Sequence, residues 1–281
     1  MQSYELVSSP VETKFLQIIQ EAENDLFIAA PYIKDYGARV ILDNARTKNL
    51  RVLTNLNLEN ITGSSFDIDC LFKLWDKFDL SVSSLGKLHA KVYIADSRVA
   101  FMTSANLTHG GLKENYEYGI IVRDATVVSA MRMNMDSYFG LGNIFTREGI
   151  ERIKGDVEEV KRLRRNLETS AQAKQLRNAL KEKEDSLQTN LLKNRVTGKT
   201  VNSIFTETIL YLLSTRGALS TEELNPLVQN IHPDICDDSI DRVINGQHFG
   251  KKWKHSVRNA QQALKANGII RTREGKWYLV T

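Results

Sequence analysis

Leu88-His89-Ala90-Lys91-Val92-Tyr93-Ile94-Ala95-Asp96 alternates polar or aromatic residues with apolar ones. In an extended strand, His89, Lys91 and Tyr93 project from one face and Ala90, Val92 and Ile94 from the other. An imidazole and an ammonium are thereby set side by side on a rigid element. Asp96-Ser97 reads as a turn, and Val99 to Met102 is apolar and β-prone. The spacing therefore predicts a hairpin that carries Ser104 and Asn106 back beside His89 and Lys91.

Outward from this hairpin, strand patterns stand at Leu26 to Ala30, Leu50 to Leu56, Leu80 to Ser84 and Tyr118 to Val122. Helical stretches fall between them near Gly37 to Arg46 and Ile68 to Phe78, with another from Ala125 to about Phe139. Ser9-Pro10-Val11-Glu12 has the form of a capping box with proline at the first helical position, ahead of an amphipathic helix on Val11, Phe15, Ile18 and Ile19. The expected fold class is α/β, a layered sheet-and-helix domain over residues 1–145.

A histidine beside a lysine suits attack on a phosphodiester. The non-bridging oxygens gain charge in the five-coordinate transition state, where the Lys91 ammonium and the Ser104 and Asn106 donors would stabilise it. His89 would supply a nucleophile or a proton donor, since a reference pKa of roughly 6.5 lets either form exist near neutrality. Glu117 is the expected hydrogen-bond acceptor for an imidazole nitrogen, fixing its tautomer. Asp96, at a strand end, has the position of a turn cap. The four other histidines, His109, His232, His248 and His255, are expected to be structural.

The pattern His89-x-Lys91-x4-Asp96-x6-Thr103-Ser104-x-Asn106 resembles the signature of the phospholipase D superfamily, with Thr103 where glycine is usual. Asn115-Tyr116-Glu117 stands where several members carry a downstream glutamate. The resemblance covers about residues 10 to 140. It implies His89, Lys91, Asp96, Ser104, Asn106 and Glu117 as site residues, a phosphohistidine intermediate, and activity without metal or other cofactor. Members use two such signatures, and this chain has one. Ala30-Pro31-Tyr32-Ile33 follows a strand at a similar point, but no histidine precedes His89. The resemblance thus implies a homodimer with a composite site on its two-fold axis.

At 281 residues and 42% hydrophobic the chain can bury a core and hold two domains. No apolar run approaches the roughly 20 residues of a membrane span, and no leader is apparent, so a soluble, cytoplasmic protein without membrane contact is expected. Cys70 and Cys236 lie far apart without metal-ligand spacing, which suggests buried thiols and no metal site.

Residues 146–198 form a charged helical stretch. Ile150, Ile153, Val157 and Val160 fit an a/d pattern that Arg164 interrupts, and leucines resume at Leu176, Leu180, Leu187 and Leu191. A solvated linker and a dimer-supporting helix both fit, with Gly198 marking the break before the last domain.

Residues 199–281 carry the basic charge. From Lys251 to Lys276 eight Lys or Arg residues stand against one acid, Glu274, while the whole chain is only +4. That concentration is the electrostatic footprint of a nucleic-acid-binding module. Helices near Val201 to Ser214, Ser220 to Gln229 and Lys252 to Ala266, then strands at Ile269 to Thr272 and Lys276 to Val280, resemble the small winged-helix domains of some restriction endonucleases. Lys251, Lys252, Lys254, His255 and Arg258, with Arg273 from the wing, are the expected DNA contacts.

The expected function is a metal-independent DNA endonuclease, of restriction or phage-defence type, with DNA and a second copy as partners. A helicase or methyltransferase partner is left open. The alternatives are a phospholipase or phosphatidyl transferase acting on lipid, and a non-catalytic DNA-binding regulator.

Overall fold

The computed structural model describes residues 3–63, 65–169, 173–195, 199–244 and 246–280, and their side chains except 167–169, 173–176, 188–189 and 192–195. The chain divides into two units, residues 1–191 and 192–281. Gly198 and the side chain of Leu176 lie outside the described residues.

The first unit is built on β1 (Tyr4–Ser8), β2 (Asp25–Ala29), β3 (Asn49–Thr54), β4 (Asp79–Ser84), β5 (Val92–Ala95), β6 (Val99–Thr103), β7 (Tyr118–Val122) and β8 (Asn143–Phe145). They form a sheet in the order β1-β7-β6-β5-β2-β3-β4-β8. β2, β3 and β4 run parallel and the other pairs antiparallel. Helices α1 (Glu12–Glu21), α2 (Asp35–Asn44), α3 (Leu58–Thr62), α4 (Asp69–Lys77) and α5 (Ala125–Leu141) connect the strands.

Both faces of the central strands are buried, which is why Leu26 to Ala29 is an unbroken apolar run. Leu26, Ile28, Val52, Tyr93 and Phe101 pack with Phe15, Ile18 and Ile19 of α1 and Leu71 and Leu74 of α4. Phe27, Ala29, Leu53, Val92 and Ile94 face the other way, against Val128 and Met135 of α5. Arg132 of α5 bonds Asp25 and Asp136, Arg51 of β3 bonds the same two carboxylates, and both guanidinium groups lie over the Phe27 ring.

The alternation of the 88–95 stretch is present: Leu88, Val92 and Ile94 lie in the α5 cluster and Tyr93 in the α1 cluster. The ladder, however, begins at Val92, with one further bond from the Thr103 N–H to the Lys91 carbonyl at 3.1 Å. Ser9 departs from expectation too. The first helix starts at Glu12 without a side-chain cap, and the Ser9 hydroxyl donates instead to the carbonyls of Asn115 and Glu117.

The helical stretch after residue 146 is not a fully solvated linker, because its apolar stripe is buried. It forms α6 (Arg147–Thr169) and α7 (Ala173–Arg195). Ile150, Ile153, Val157 and Val160 are buried in the first unit's core with Leu187 and Leu191. Arg164, on the next core position, is bonded to Glu184 of α7, and Leu163 takes the buried place beside it.

The second unit contains α8 (Val201–Arg216), β9 (Leu219–Ser220), α9 (Thr221–Ile231), β10 (Asp241–Ile244), β11 (Gln247–Lys251), α10 (Lys252–Ala266), β12 (Ile270–Arg273) and β13 (Lys276–Leu279). Ser220 and Glu223 form a capping box at α9. Phe205, Ile209, Leu224, Val257, Leu264 and Trp277 make a separate core, and β12, β13 and β9 form an antiparallel sheet. The β10–β11 hairpin is an addition to the expected elements.

The β5–β6 turn is locked by Asp96. Asp96 and Ser97 adopt positive φ of 49° and 53°, and the Asp96 carboxylate accepts the backbone N–H groups of Glu23, Asn24 and Asp25 as well as Arg98. Burial of this carboxyl opposes its ionisation, but the three N–H groups and Arg98 outweigh burial and hold its pKa below the ordinary carboxylate value. A depressed pKa adds stability above the unfolded-state value, roughly 3.9, and that stability is lost as pH falls through the folded one. Asp96→Ala, which strands three donors, should cost about 1–3 kcal/mol at pH 7 and lose part of the acid-limb slope in denaturant titrations. Equal stability and equal slope would show the carboxylate to be idle.

Candidate active site and basic surface

The expected residues converge on one edge of the sheet. Ala29 of β2 pairs with both Leu53 of β3 and Val92 of β5, so the C-terminal ends of β2 and β3 meet the start of β5. Val92 pairs with Met102 of β6, and Thr103 with Gly119 of β7. His89 and Lys91 therefore precede β5 where Ser104 and Asn106 follow β6, with Glu117 just before β7.

His89 is exposed and Lys91 is buried. The Lys91 Nζ donates to the His89 carbonyl at 3.0 Å and lies 3.3 Å from each ring nitrogen of His89. Burial holds the Lys91 ammonium below the usual lysine range, and the negative charge of Glu117 opposes that shift. Tyr93, next on the same face, is fully buried, and its hydroxyl donates to the Ala105 carbonyl at 2.9 Å, fixing the turn between Ser104 and Asn106.

Glu117 does not bond His89. Its carboxylate accepts from Ser104 Oγ and from Asn115 Nδ2, the latter at 3.1 Å. It thus orients Ser104 and supplies charge beside Lys91. Asp96 is also away from this group, at the far end of β5 in the turn described above. Of the six expected residues, the structure brings together His89, Lys91, Ser104, Asn106 and Glu117.

Thr103, in the place of the usual glycine, has its own accommodation. Its hydroxyl donates to the Tyr118 carbonyl at 3.1 Å and accepts the Ala105 N–H at 3.2 Å. Its cross-strand partner is Gly119, where an added Cβ would fall 2.8 Å from the Thr103 Cβ. Gly111 is a second close approach: a Cβ there would meet the Asn106 carbonyl oxygen at 2.5 Å and its nitrogen at 2.9 Å, so the turn at 110–114 packs directly under Asn106.

Two amides stand out. Asn106 Oδ1 and Asn55 Oδ1 are buried without hydrogen-bond partners among the described residues. Asn55 directly follows β3 and was missed at the level of sequence, where an isolated asparagine after a strand reads as a turn residue. Ser9, which accepts the Glu117 N–H, was masked by its resemblance to a helix cap.

On the second unit, Lys252, Lys254 and Arg258 are exposed on α10 and form no salt bridge among the described residues. Lys251 instead pairs with Asp241 at 2.9 Å, and Arg273 lies 3.6 Å from Glu274. His255 uses both ring nitrogens within the protein, towards Arg242 and the Phe249 carbonyl. No group of three His, Cys, Asp or Glu side chains suited to a metal occurs among the described residues.

The electrostatic coupling at the site can be read directly. Replacing Glu117 with glutamine removes the charge that sustains the Lys91 ammonium, so the Lys91 titration midpoint should move to lower pH. NMR titration of carbon-labelled lysine side chains checks this. An unmoved midpoint would place the two groups out of electrostatic contact.

Residues 15–139 match the family described as cardiolipin synthase, PLD-like domain. No curated protein matches the sequence. Among solved structures, the phospholipase D family member Nuc from Salmonella typhimurium is 14% identical, covering 51% of this chain and 97% of its own, with a TM-score of 0.44. NucT from Helicobacter pylori is 18% identical, covering 50% and 96%, with a TM-score of 0.41. A phosphatidylserine synthase from Haemophilus influenzae Rd KW20 is 14% identical, covering 66% and 44%, with a TM-score of 0.43. Residues 15–139, which carry the His89, Lys91, Ser104 and Asn106 edge, are thus similar to the PLD-like domain of that family.

Proposed function

We propose that this chain is a DNA-cleaving phosphodiesterase that works as a two-fold symmetric homodimer. The observation that carries the reading is the convergence of His89, Lys91, Ser104 and Asn106 on one sheet edge, with Lys91 held against the His89 ring. One chain supplies one histidine to this edge. In-line displacement calls for a nucleophile on one side of phosphorus and an acid on the other, so a second copy supplies the second group.

In the first step, His89 of one chain attacks phosphorus. The P–O bond to the leaving group breaks, and His89 of the partner subunit gives that oxygen its proton. In the second step, the same partner histidine takes a proton from water, whose oxygen displaces the first histidine and releases the phosphomonoester. Lys91 and the Asn106 amide stabilise the non-bridging oxygens, and Ser104 is oriented by Glu117. Lysine and amide donors here take the electrostatic part that Mg²⁺ takes elsewhere.

The substrate follows from the second unit. Three helices with an antiparallel sheet of β12, β13 and β9 suit a winged-helix reading, and Lys252, Lys254 and Arg258 line its exposed α10. A phosphodiesterase edge joined to a basic unit fits an endonuclease of restriction or phage-defence type. One feature favours a lipid substrate as the second reading: Met102, Tyr116 and Tyr118 are exposed around the site edge. No helix among the described residues is long and apolar enough to cross a membrane.

Incubation with end-labelled DNA, and in parallel with phosphatidylglycerol vesicles, both in EDTA, separates the readings. DNA cleavage should persist in EDTA, and His89→Ala should lower it at least about a thousandfold while DNA retention is kept. Vesicle hydrolysis alone would replace DNA with lipid, and cleavage requiring added Mg²⁺ would overturn the mechanism.

A further inference from the structure

Between α9 and α10 the second unit carries a hairpin that its core does not use. β10 and β11 pair antiparallel, with a register shift between Asp241 and Val243. Val243, Ile244 and Phe249 are 50%, 43% and 45% exposed and contribute nothing to the unit's core cluster. Three large apolar side chains left in water on one short ribbon are unusual for a solvated turn.

The hairpin is nevertheless held in a fixed place. Arg242 Nη1 donates to His255 Nδ1 at 3.0 Å, which leaves the proton on Nε2, and Nε2 donates to the Phe249 carbonyl at 2.6 Å. One imidazole on α10 thus ties both strands to the helix. The Lys252 N–H bonds the Ile240 carbonyl at 2.9 Å, and Lys251 pairs with Asp241.

The surroundings indicate what the ribbon meets. The first turn of α10 has no acidic residue. Lys254, Arg258 and Lys265 are exposed along one side of the helix, a span of about 16 Å at roughly 1.5 Å per residue. A linear array of cations beside an apolar ribbon matches a ligand with a line of phosphates and flat apolar faces alongside. A membrane surface would be met by cations gathered around the apolar tip rather than drawn out along a helix.

We propose that the β10–β11 hairpin is a base-contacting wedge: while α10 holds DNA phosphates, Val243, Ile244 and Phe249 enter the base stack and open it at that step. This rests on the reading of the second unit as DNA-binding. Apolar side chains inserted between base steps unstack and kink a duplex. The wedge would give the enzyme a preference for easily opened or already distorted steps.

The test uses the full chain and a fluorescein-labelled duplex containing 2-aminopurine, read by anisotropy and by base fluorescence in parallel. Wild type should bind and raise the 2-aminopurine signal. Phe249→Ser, and Val243→Ser with Ile244→Ser, should abolish that rise and weaken binding about 5- to 150-fold per stacked base lost. Lys254→Ala should instead flatten the salt dependence while the bound complex keeps the fluorescence rise. All these positions are exposed, so far-ultraviolet circular dichroism should be unchanged. Wild type that binds with no fluorescence rise, or Phe249→Ser that binds like wild type, overturns the wedge alone. Absence of any wild-type binding overturns the DNA reading with it. Altered association in sedimentation, or loss confined to phosphatidylserine vesicles, would assign the ribbon to a protein partner or a membrane and also overturn the wedge.

Discussion

The Thr103 N–H donates to the Lys91 carbonyl at 3.1 Å, and the functional edge depends on this rung. It is the last tie of the β5–β6 hairpin. Beyond it the two strands part, one towards His89 and the other, still bonded from the Ser104 N–H to the Tyr118 carbonyl of β7 at 3.0 Å, towards Asn106. Its position is set from the opposite end, where Asp96 anchors the turn to the backbone of Glu23 to Asp25. A slip of one residue would turn Tyr93 out of the core and Lys91 away from Ser104 and Asn106. The buried Tyr93, packed on Phe15 with ring centroids 4.8 Å apart, resists that slip.

Much of this was legible in sequence because the signals were local. The alternation from Leu88 to Ala95, the turn residues at Asp96-Ser97 and the apolar runs of β2, β3 and β4 each follow from side-chain periodicity. The role of Glu117 was not legible. Its spacing allowed a bond to His89, but whether it reaches the imidazole or Ser104 is decided by how the loop before β7 is tied, and Ser9, more than a hundred residues earlier, ties it. Gly119 was hidden for the same reason: it acquires meaning only from Thr103 on the neighbouring strand.

The long helices show a different limit. An a/d stripe says that a helix buries one face, not against what. Here the stripe of Ile150, Ile153, Val157 and Val160 is covered by the unit's own core, and Arg164 marks where that cover ends and an ion pair with Glu184 takes over. The β10–β11 hairpin, by contrast, did carry a local signal. Asn245-Gly246 between Arg242-Val243-Ile244 and Gln247-His248-Phe249 has the two-residue hairpin pattern. Gly246 has the expected positive φ of 79°.

The central claim is that one chain holds half of a catalytic apparatus. Refolding wild type together with His89→Ala chains in varied proportion, and following phosphodiester cleavage at fixed total protein, measures this most directly. If both histidines of a dimer are needed, mixed dimers are silent and activity falls as the square of the wild-type fraction, to about a quarter at equal mixing. Activity that falls in simple proportion to wild-type chain would mean that each chain is complete, and would contradict the account.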